Sequence, residues 1–296
     1  MWSVLLCTFG AYTNHILRFM SYILCAIIYM TKLLIKQQIF RRIIMERLDG
    51  KRIIITGGAG GMGRTTVENF PSLGAKVAFF DVNDADGEEV AKISGAKYIH
   101  VDVSNEESVQ NGFKEAVEWL GGLDVVIHCA AIAPATPIEY CDFATWKKLF
   151  AINADGTYLV DMEAFKYMKD QGYGNIINFT SASAFIVSPF QPIYGATKGA
   201  VTSWSRTLAK DLMPYNIRVN MIAPNIWTPL TDKLVAQFSP EEKEAFMAGM
   251  KGLMLGDKPG DLVEDYLPVI AFAASDSSKF ITGQTICVDG GTMMVR

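Results

Sequence analysis

The fold is decided by one run of consecutive residues, Arg52-Ile53-Ile54-Ile55-Thr56-Gly57-Gly58-Ala59-Gly60-Gly61-Met62-Gly63. Its first five residues form a short apolar, β-branched run, which is typical of a strand buried on both faces of a sheet. After the glycines comes a helical segment that closes near Gly74, and then a second apolar run, 75–80, which ends at Asp81. This order of strand, glycine loop, helix and strand predicts a βαβ unit within a parallel α/β sheet.

The glycine loop and Asp81 together indicate a dinucleotide site. Glycines let a backbone approach a pyrophosphate closely, and the N-terminus of the next helix offers free N–H groups and a positive dipole end. Asp81 follows at the end of the second strand. A carboxylate there binds ribose hydroxyls and repels a 2′-phosphate, so NAD is predicted over NADP. A plain flexible turn and a solvated or helix-capping acid are the alternative interpretations.

A second motif, Tyr194-Gly195-Ala196-Thr197-Lys198, places a phenol and an amine four residues apart. On a helix these two side chains share one face. An ammonium beside a phenol favours the phenolate, so we expect Lys198 to lower the pKa of Tyr194 from its ordinary ~10 and make it a general acid/base. Ser181 lies upstream and is expected to hydrogen-bond the oxygen of a reacting alcohol or carbonyl. Taken singly, these residues also fit ring packing, a solvated lysine and a hydroxyl that satisfies backbone groups.

Further motifs follow one another in a fixed order: Thr56-Gly57-x-x-x-Gly61-x-Gly63, Asp102-Val103, Asn153 with Gly156, then Ser181, Tyr194 and Lys198, then Pro224 to Thr228, and Gly283 to Gly291. With this set, residues 48–295 resemble the short-chain dehydrogenase/reductase family, in its branch of roughly 250 residues. The resemblance implies a single Rossmann-type, doubly wound α/β domain. Its central parallel sheet of about seven strands would be flanked by helices on both faces.

The resemblance also implies a reaction: hydride transfer between NAD(H) and the CH–OH or C=O group of a secondary alcohol or ketone, with NADP as the less favoured cofactor. Tyr194 would exchange the hydroxyl proton, Lys198 would hold the nicotinamide ribose and Ser181 would polarise the substrate oxygen. Asn153 would hold a water that passes protons to Lys198. The residues implied to contact the cofactor are Gly57, Gly61, Met62, Gly63, Asp81, Asp102, Val103, Ala130, Tyr194, Lys198, Ile226 and Thr228.

Two places depart from the family pattern. The usual Asn-Asn-Ala-Gly after the fourth strand is here His128-Cys129-Ala130-Ala131, which removes an asparagine that usually braces the sheet. Asn225 replaces the glycine that normally follows Pro224, and asparagine tolerates a left-handed backbone better than most residues. These departures support an alternative function, a catalytically silent dinucleotide-binding sensor or scaffold. The complete catalytic set favours the enzyme.

Composition argues against several other classes of protein. The net charge is −4 over 296 residues, but residues 1–48 hold six basic residues against one acid, which leaves −9 for the remainder. No basic surface for a nucleic acid is indicated. The five cysteines form no C-x-x-C pair and the three histidines are scattered, so we predict reduced thiols, no metal site and a cytoplasmic protein.

The first 44 residues differ in kind from the rest. Residues 16–35 are mostly apolar, but Arg18 and Lys32 leave an uncharged stretch shorter than the roughly 20 residues that span a bilayer. A membrane anchor with the following domain on the cytoplasmic side is one hypothesis. A misassigned start codon is the other, because Met45 begins a stretch typical of this family. The predicted division is an extension at 1–44 and a dehydrogenase domain at 45–296.

Three segments are expected to shape the substrate mouth, because open α/β sheets bind ligands at the carboxyl ends of their strands: 133–140, 182–192 and 227–258. The last contains Met247, Met250 and Met254 at helical spacing, which fits either an apolar lid or ordinary core packing. The substrate is predicted to be hydrophobic: steroid-like, aliphatic or acyl. The resemblance also implies a homodimer or homotetramer, formed through the helices that contain Asn153 and residues 194–211.

Overall fold

The computed structural model describes residues 46–188, 191–236 and 238–293. Within these residues lies one sheet of seven parallel strands in the order β3-β2-β1-β4-β5-β6-β7. The fold class and strand number expected from the sequence are thereby confirmed. The strands are β1 (Arg52–Thr56), β2 (Lys76–Asp81), β3 (Lys97–His100), β4 (Val125–His128), β5 (Gly174–Phe179), β6 (Ile217–Pro224) and β7 (Thr285–Val288).

Helices join the strands and cover both faces of the sheet. They are α1 (Gly61–Asn69), α2 (Asp84–Ser94), α3 (Glu106–Leu120), α4 (Phe143–Phe150), α5 (Gly156–Gln171), α6 (Pro192–Asp211), α7 (Pro229–Val235), α8 (Pro240–Ala248) and α9 (Leu267–Ala274). A π-helical turn, Ala151–Asp155, separates α4 from α5, and another, Leu262–Tyr266, precedes α9. One core cluster joins α3, α5 and α6 to the sheet. Helices α1 and α9 contact each other and the sheet, α1 at β1 and α9 at β5.

The central strands are apolar because both of their faces are covered. In β4 and β5 every residue is buried, and in β1 only Arg52 is partly exposed. Such continuous burial explains why these strands lack the alternation of a one-sided sheet. The register places Thr56 beside His128 and His128 beside Asn178. The carboxyl ends of β1, β4 and β5 therefore lie side by side, and the segments that follow them meet at one edge.

The long insertion after β6 differs from its predicted form. Helix α8 ends at Ala248, so Met250 and Met254 lie beyond it and do not share a helix with Met247. Met250 is buried, whereas Met247 is exposed. The expectation of three methionines on one helical face is wrong, because the chain turns after Ala248 and Gly252 adopts a left-handed conformation (φ 73°).

The N-terminal predictions lie outside the described residues. These are the extension at 1–44 and its apolar stretch at 16–35. Searched over the described part of the chain, the helices include none long and apolar enough to cross a bilayer. The membrane anchor and the misassigned start both stay predictions.

Candidate active site

The glycine loop brings backbone, and no side chain, to the carboxyl end of β1. Gly60 is the N-cap of α1 and offers no side-chain cap, whereas Asn83, Asn105 and Asp142 cap α2, α3 and α4 with their side chains. A Cβ added at Gly60 or Gly61 would meet no atom of the described residues within 4 Å. Among the residues that the structure describes, no side chain caps the N-terminus of α1, and its free N–H groups fit a pyrophosphate.

Tight packing holds the rest of this loop against β4. A Cβ at Gly63 would lie 2.1 Å from the carbonyl oxygen of Gly57, and one at Gly57 would lie 2.9 Å from Cα of Ala130. Gly57 also has a φ of 66°, which disfavours any other residue. The backbone N–H of Ala130 donates to Oγ1 of Thr56 at 3.1 Å. Three predicted cofactor residues, Gly57, Gly63 and Ala130, are therefore brought together.

Asp81 lies beside the loop, as its position at the end of β2 predicts. Its Oδ2 accepts a hydrogen bond from the Ala59 N–H at 3.0 Å, and its Oδ1 accepts from the Asn83 N–H at 3.0 Å. A carboxylate has about four acceptor sites, so capacity remains for two ribose hydroxyls. The backbone contacts fix the orientation of the carboxylate next to the glycine loop.

Asp102 and Val103 follow β3 at the same edge of the sheet. The carboxylate of Asp102 accepts from the backbone and hydroxyl of Ser104, at 2.9 and 2.7 Å, and so stabilises its own turn. Val103 is buried, and a Cβ at Gly156 would lie 3.0 Å from its Cγ2. These residues therefore lie against the first residue of α5, which explains the need for glycine at that position.

The residues Ser181, Tyr194 and Lys198 are brought together by β5 and α6. Ser181 caps the short 3-10 turn after β5, and its hydroxyl interacts with the Tyr194 phenol. Lys198 is 4% exposed, and its Nζ donates to the carbonyl oxygen of Phe179 at 2.7 Å. The same Nζ lies 5.8 Å from the centre of the Tyr194 ring. A hydroxyl, a phenol and an amine thus converge at the carboxyl edge of the sheet.

The pKa of Tyr194 does not follow the expectation. Burial raises it above its ordinary value, and the hydrogen bond with Ser181 opposes that shift. Burial also lowers the pKa of Lys198 to about 8. The expected lowering by Lys198 is wrong in this structure, because the ammonium donates to Phe179 and lies over the tyrosine ring at 5.8 Å, so that desolvation of the phenolate dominates.

Asn153 ties the loop after β4 to α6. Its Oδ1 accepts from the Ile132 N–H at 2.9 Å, and its Nδ2 donates to the Ile132 carbonyl at 2.9 Å and to Oγ1 of Thr197 at 3.1 Å. Both amide protons are used, so the side chain has no donor left for the water that the resemblance implied. The backbone carbonyl of Asn153 accepts from the Thr157 hydroxyl at 2.7 Å.

His128 replaces the lost asparagine as a brace between strands. Its Nδ1 is 2.8 Å from Oγ1 of Thr56 on β1, and burial lowers its pKa to about 3, so the ring is neutral.

Asn225 also departs from expectation, because its backbone is not left-handed. Within the described ranges, the non-glycine residues with positive φ are Asn216 and Asp257. The Asn225 side chain instead donates to Oγ1 of Thr292 at 3.2 Å.

Ile226 and Thr228, the last two predicted cofactor residues, follow β6 at the same edge. Ile226 forms a parallel bridge with Gly260. The hydroxyl of Thr228 lies 3.3 Å from that of Thr231, where α7 begins. Both residues are therefore anchored to the insertion and show no contact with Tyr194 or Lys198.

Some functional contacts were missed from the sequence. Thr197 lies inside the tyrosine motif, and its hydroxyl bonds the Tyr194 carbonyl at 2.7 Å, so the motif itself carried a signal for it. Thr56, His128 and Tyr266 meet their partners across the fold and left no local signal. In the part of the chain that the structure describes, no group of His, Cys, Asp or Glu side chains could hold a metal ion.

Comparisons with known proteins agree with this geometry. A family model described as enoyl-(acyl carrier protein) reductase matches residues 57–293. Secoisolariciresinol dehydrogenase of Forsythia intermedia is 34% identical over 84% of this chain and 91% of its own. The short-chain dehydrogenase reductase 3b of Arabidopsis thaliana is 35% identical over 85% and 98%. A gluconate 5-dehydrogenase from Burkholderia cenocepacia J2315, solved with NADP and tartrate, has a TM-score of 0.76 at 27% identity, covering 83% of this chain and 96% of its own.

Proposed function

Because this chain belongs to the short-chain dehydrogenase/reductase family and is an oxidoreductase of secondary alcohols, we propose that Asn153, Ser181, Tyr194 and Lys198 are its catalytic set and NAD its cofactor. The observation that carries this proposal is the convergence of Ser181, Tyr194 and Lys198 at the edge of the sheet where the glycine loop ends. A bound nicotinamide dinucleotide would supply or accept the hydride.

The chain's own residues would handle the proton. Tyr194 would accept the proton of the alcohol as the carbinol hydrogen leaves, and return it in the reverse direction. Ser181 would donate a hydrogen bond to the reacting oxygen, since its hydroxyl already lies beside the phenol. Lys198, with a pKa of about 8, is mostly cationic at neutral pH and would favour the phenolate once the reacting groups are in place.

Asn153 would contribute mainly by holding other residues in position, and not by donating a proton to the reaction. Its side chain joins Ile132 to Thr197 and so fixes α6, the helix that carries Tyr194 and Lys198. Asn153 lies in the π-helical turn, and its backbone carbonyl accepts from the Thr157 hydroxyl. Next to it, a water would link Lys198 to solvent, as the resemblance implies.

The NAD preference rests on Asp81. Its carboxylate is fixed beside the glycine loop by Ala59 and Asn83, where it would accept from ribose hydroxyls and repel a 2′-phosphate. Arg64, the first cation of α1, is held by Glu68 and Glu89 at 2.7 and 2.8 Å and offers no spare charge to a phosphate. The Burkholderia relative was solved with NADP, so family membership alone does not select NAD.

A hydrophobic alcohol or ketone is the substrate we propose. An apolar crevice of about 330 Å³ lies next to the start of α6, just before Tyr194. The loops after β4 and β5 also expose apolar side chains. The crevice is lined by Ile138, Cys141, Asp142, Phe143, Trp146, Pro192 and Ile193.

The alternative function, a catalytically silent sensor or scaffold, was based on the changes at His128 and Asn225, and the fold accommodates both changes. His128 restores the brace between β1 and β4, and Asn225 follows β6 without a left-handed backbone. Neither departure disturbs the catalytic set.

We also propose a homodimer or homotetramer through α5 and α6, whose exposed aromatic residues include Tyr158.

The experiment that tests this function replaces Tyr194 with phenylalanine. Turnover of a panel of hydrophobic secondary alcohols, followed by NADH absorbance, should fall by about 10²- to 10⁴-fold, because the proton acceptor is lost. The dissociation constant for NADH, measured by fluorescence titration, should stay close to that of the wild type.

Tyr173→Phe is the matched control. The Tyr173 hydroxyl bonds Asp124 at the opposite, amino end of the sheet, so this variant loses a phenol oxygen far from the site. It should keep wild-type turnover. Full activity of Tyr194→Phe would contradict the proton role.

A further inference from the structure

Tyr266 has a role that the catalytic set leaves unexplained. It ends the π-helical turn before α9 and is fully buried. Its hydroxyl lies 2.8 Å from Oγ1 of Thr66 in α1, a residue 200 positions away in sequence. One phenol oxygen therefore links the π-helical turn before α9 to α1.

The direction of these hydrogen bonds follows from counting protons. The Thr66 hydroxyl lies 2.8 Å from the Met62 carbonyl, which can only accept, so Thr66 donates its single proton there. Thr66 must then accept from Tyr266. The bonds run one way, from Tyr266 through Thr66 to Met62.

This chain of bonds ends at the proposed dinucleotide site. Met62 is in the first turn of α1, whose free N–H groups fit a pyrophosphate. The Tyr266 hydroxyl is thus connected to the glycine loop through Thr66.

The ring of Tyr266 makes a separate contact. It lies 6.1 Å from the ring of Phe179, and the Phe179 carbonyl accepts from Lys198. Replacing Tyr266 with phenylalanine therefore removes the bond to Thr66 but keeps the packing that supports the lysine. This separation makes the role of the hydroxyl testable by itself.

We infer that Tyr266 is a positioning residue for the dinucleotide: its hydroxyl fixes the first turn of α1 relative to the end of β5, where its ring packs against Phe179. The inference rests on the proposed function, because it assumes that the glycine loop binds NAD(H). The hydroxyl touches neither the cofactor nor the substrate. Its effect is to hold Met62 and its neighbours in the conformation that presents backbone N–H groups to phosphate.

The test compares NADH binding and turnover of the full chain. In Tyr266→Phe, the NADH dissociation constant from fluorescence titration should rise about three- to ten-fold, the effect of one lost hydrogen bond. The alcohol KM and kcat at saturating NAD should change little. Hydrogen exchange of the amides at 62–66 in the free protein should become faster, since the first turn loses its anchor.

Three companion variants separate this role from general packing. Thr66→Val removes the acceptor from the other side and should weaken NADH binding in the same way. Thr66→Ser keeps the hydroxyl and should bind NADH more tightly than Thr66→Val. Tyr173→Phe, which loses a phenol oxygen at the amino end of the sheet, should bind NADH like the wild type.

Two results would overturn the inference. One is an unchanged NADH dissociation constant in both Tyr266→Phe and Thr66→Val. The other is a parallel loss of kcat, alcohol KM and NADH affinity, which would mean that the hydroxyl supports the whole core. Failure of the proposed function would look different, because a wild-type protein without alcohol turnover can still be titrated with NADH.

Discussion

At the scale of single residues, the proposed preference for NAD depends on Asp81. Its two oxygens are oriented by the N–H groups of Ala59 and Asn83, so the charge cannot swing away from a ligand in the loop. A carboxylate held in this position accepts hydrogen bonds from the two ribose hydroxyls and repels a phosphate that replaces one of them.

Asp81→Ala is therefore expected to relax cofactor choice. The ratio of kcat/KM for NAD over NADP should fall by about ten-fold or more, because roughly 1 to 4 kcal/mol of charge repulsion is removed. Glu88→Ala is the control, since it removes the same charge from the exposed side of α2. Parallel changes in both variants would mean that net charge, and not the position of Asp81, sets the preference.

The motif that contains Tyr194 and Lys198 predicts where these two side chains lie, but not how their surroundings change the pKa of the phenol. The four-residue spacing correctly placed Tyr194 and Lys198 on one face of α6. It could not give the direction of the pKa shift of Tyr194, because that depends on burial and on the Phe179 carbonyl that holds the ammonium. Both are supplied by β5, a distant element.

At the scale of secondary structure, α5 is fastened to β5 and α6 by a buried acid. Asp161 is fully buried, and its Oδ2 accepts from Nδ2 of Asn178 and Nε1 of Trp204, each at 2.8 Å. Its Oδ1 has no partner. Burial raises the pKa of Asp161 to about 7, although the two hydrogen bonds lower it.

This carboxyl should make the stability of the protein fall as the pH rises. The folded protein keeps the Asp161 proton up to a pH of about 7, whereas the unfolded chain loses it near its ordinary pKa of about 3.9. Stability is therefore lost between these two values, at up to about 1.4 kcal/mol per pH unit, and levels off above them. Urea unfolding of the wild type and Asp161→Asn across this range measures the effect.

The difference in unfolding free energy, wild type minus Asp161→Asn, should fall as the pH rises. Asparagine keeps an oxygen acceptor for Asn178 and Trp204, so the variant tests the charge and not the contacts. Asp170→Asn, an exposed position on the same helix, should give a difference that does not change with pH in this way. Parallel curves for Asp161→Asn would show that the carboxyl does not titrate in this range.

At the scale of the whole molecule, the strand order places the site. Residues from β1, β2, β4, β5 and β6 reach one edge because every strand of the described sheet is parallel. Helices α5 and α6 also present an outer surface. There Tyr158 is 49% exposed, and its ring packs edge-on against Trp204 at 5.3 Å.

If α5 and α6 form the subunit contact, a charge at Tyr158 should break it. Tyr158→Glu is expected to shift the protein towards the monomer in sedimentation equilibrium, because an unpaired carboxylate would be buried between copies. Ile93→Glu, at an exposed apolar position on α2, should leave the association state as it is. A wild-type monomer at all concentrations would contradict the proposed assembly.

The sequence by itself determined the βαβ start and the doubly wound class, and it supplied the catalytic set that we propose. These features are local, since a strand, a loop or one helical face needs only residues close together in the chain. The sheet register, the brace at His128 and the pKa of Tyr194 were decided only by tertiary structure. Each depends on a partner from another strand or helix, and the link between Tyr266 and Thr66 spans 200 residues, so no local pattern could carry it.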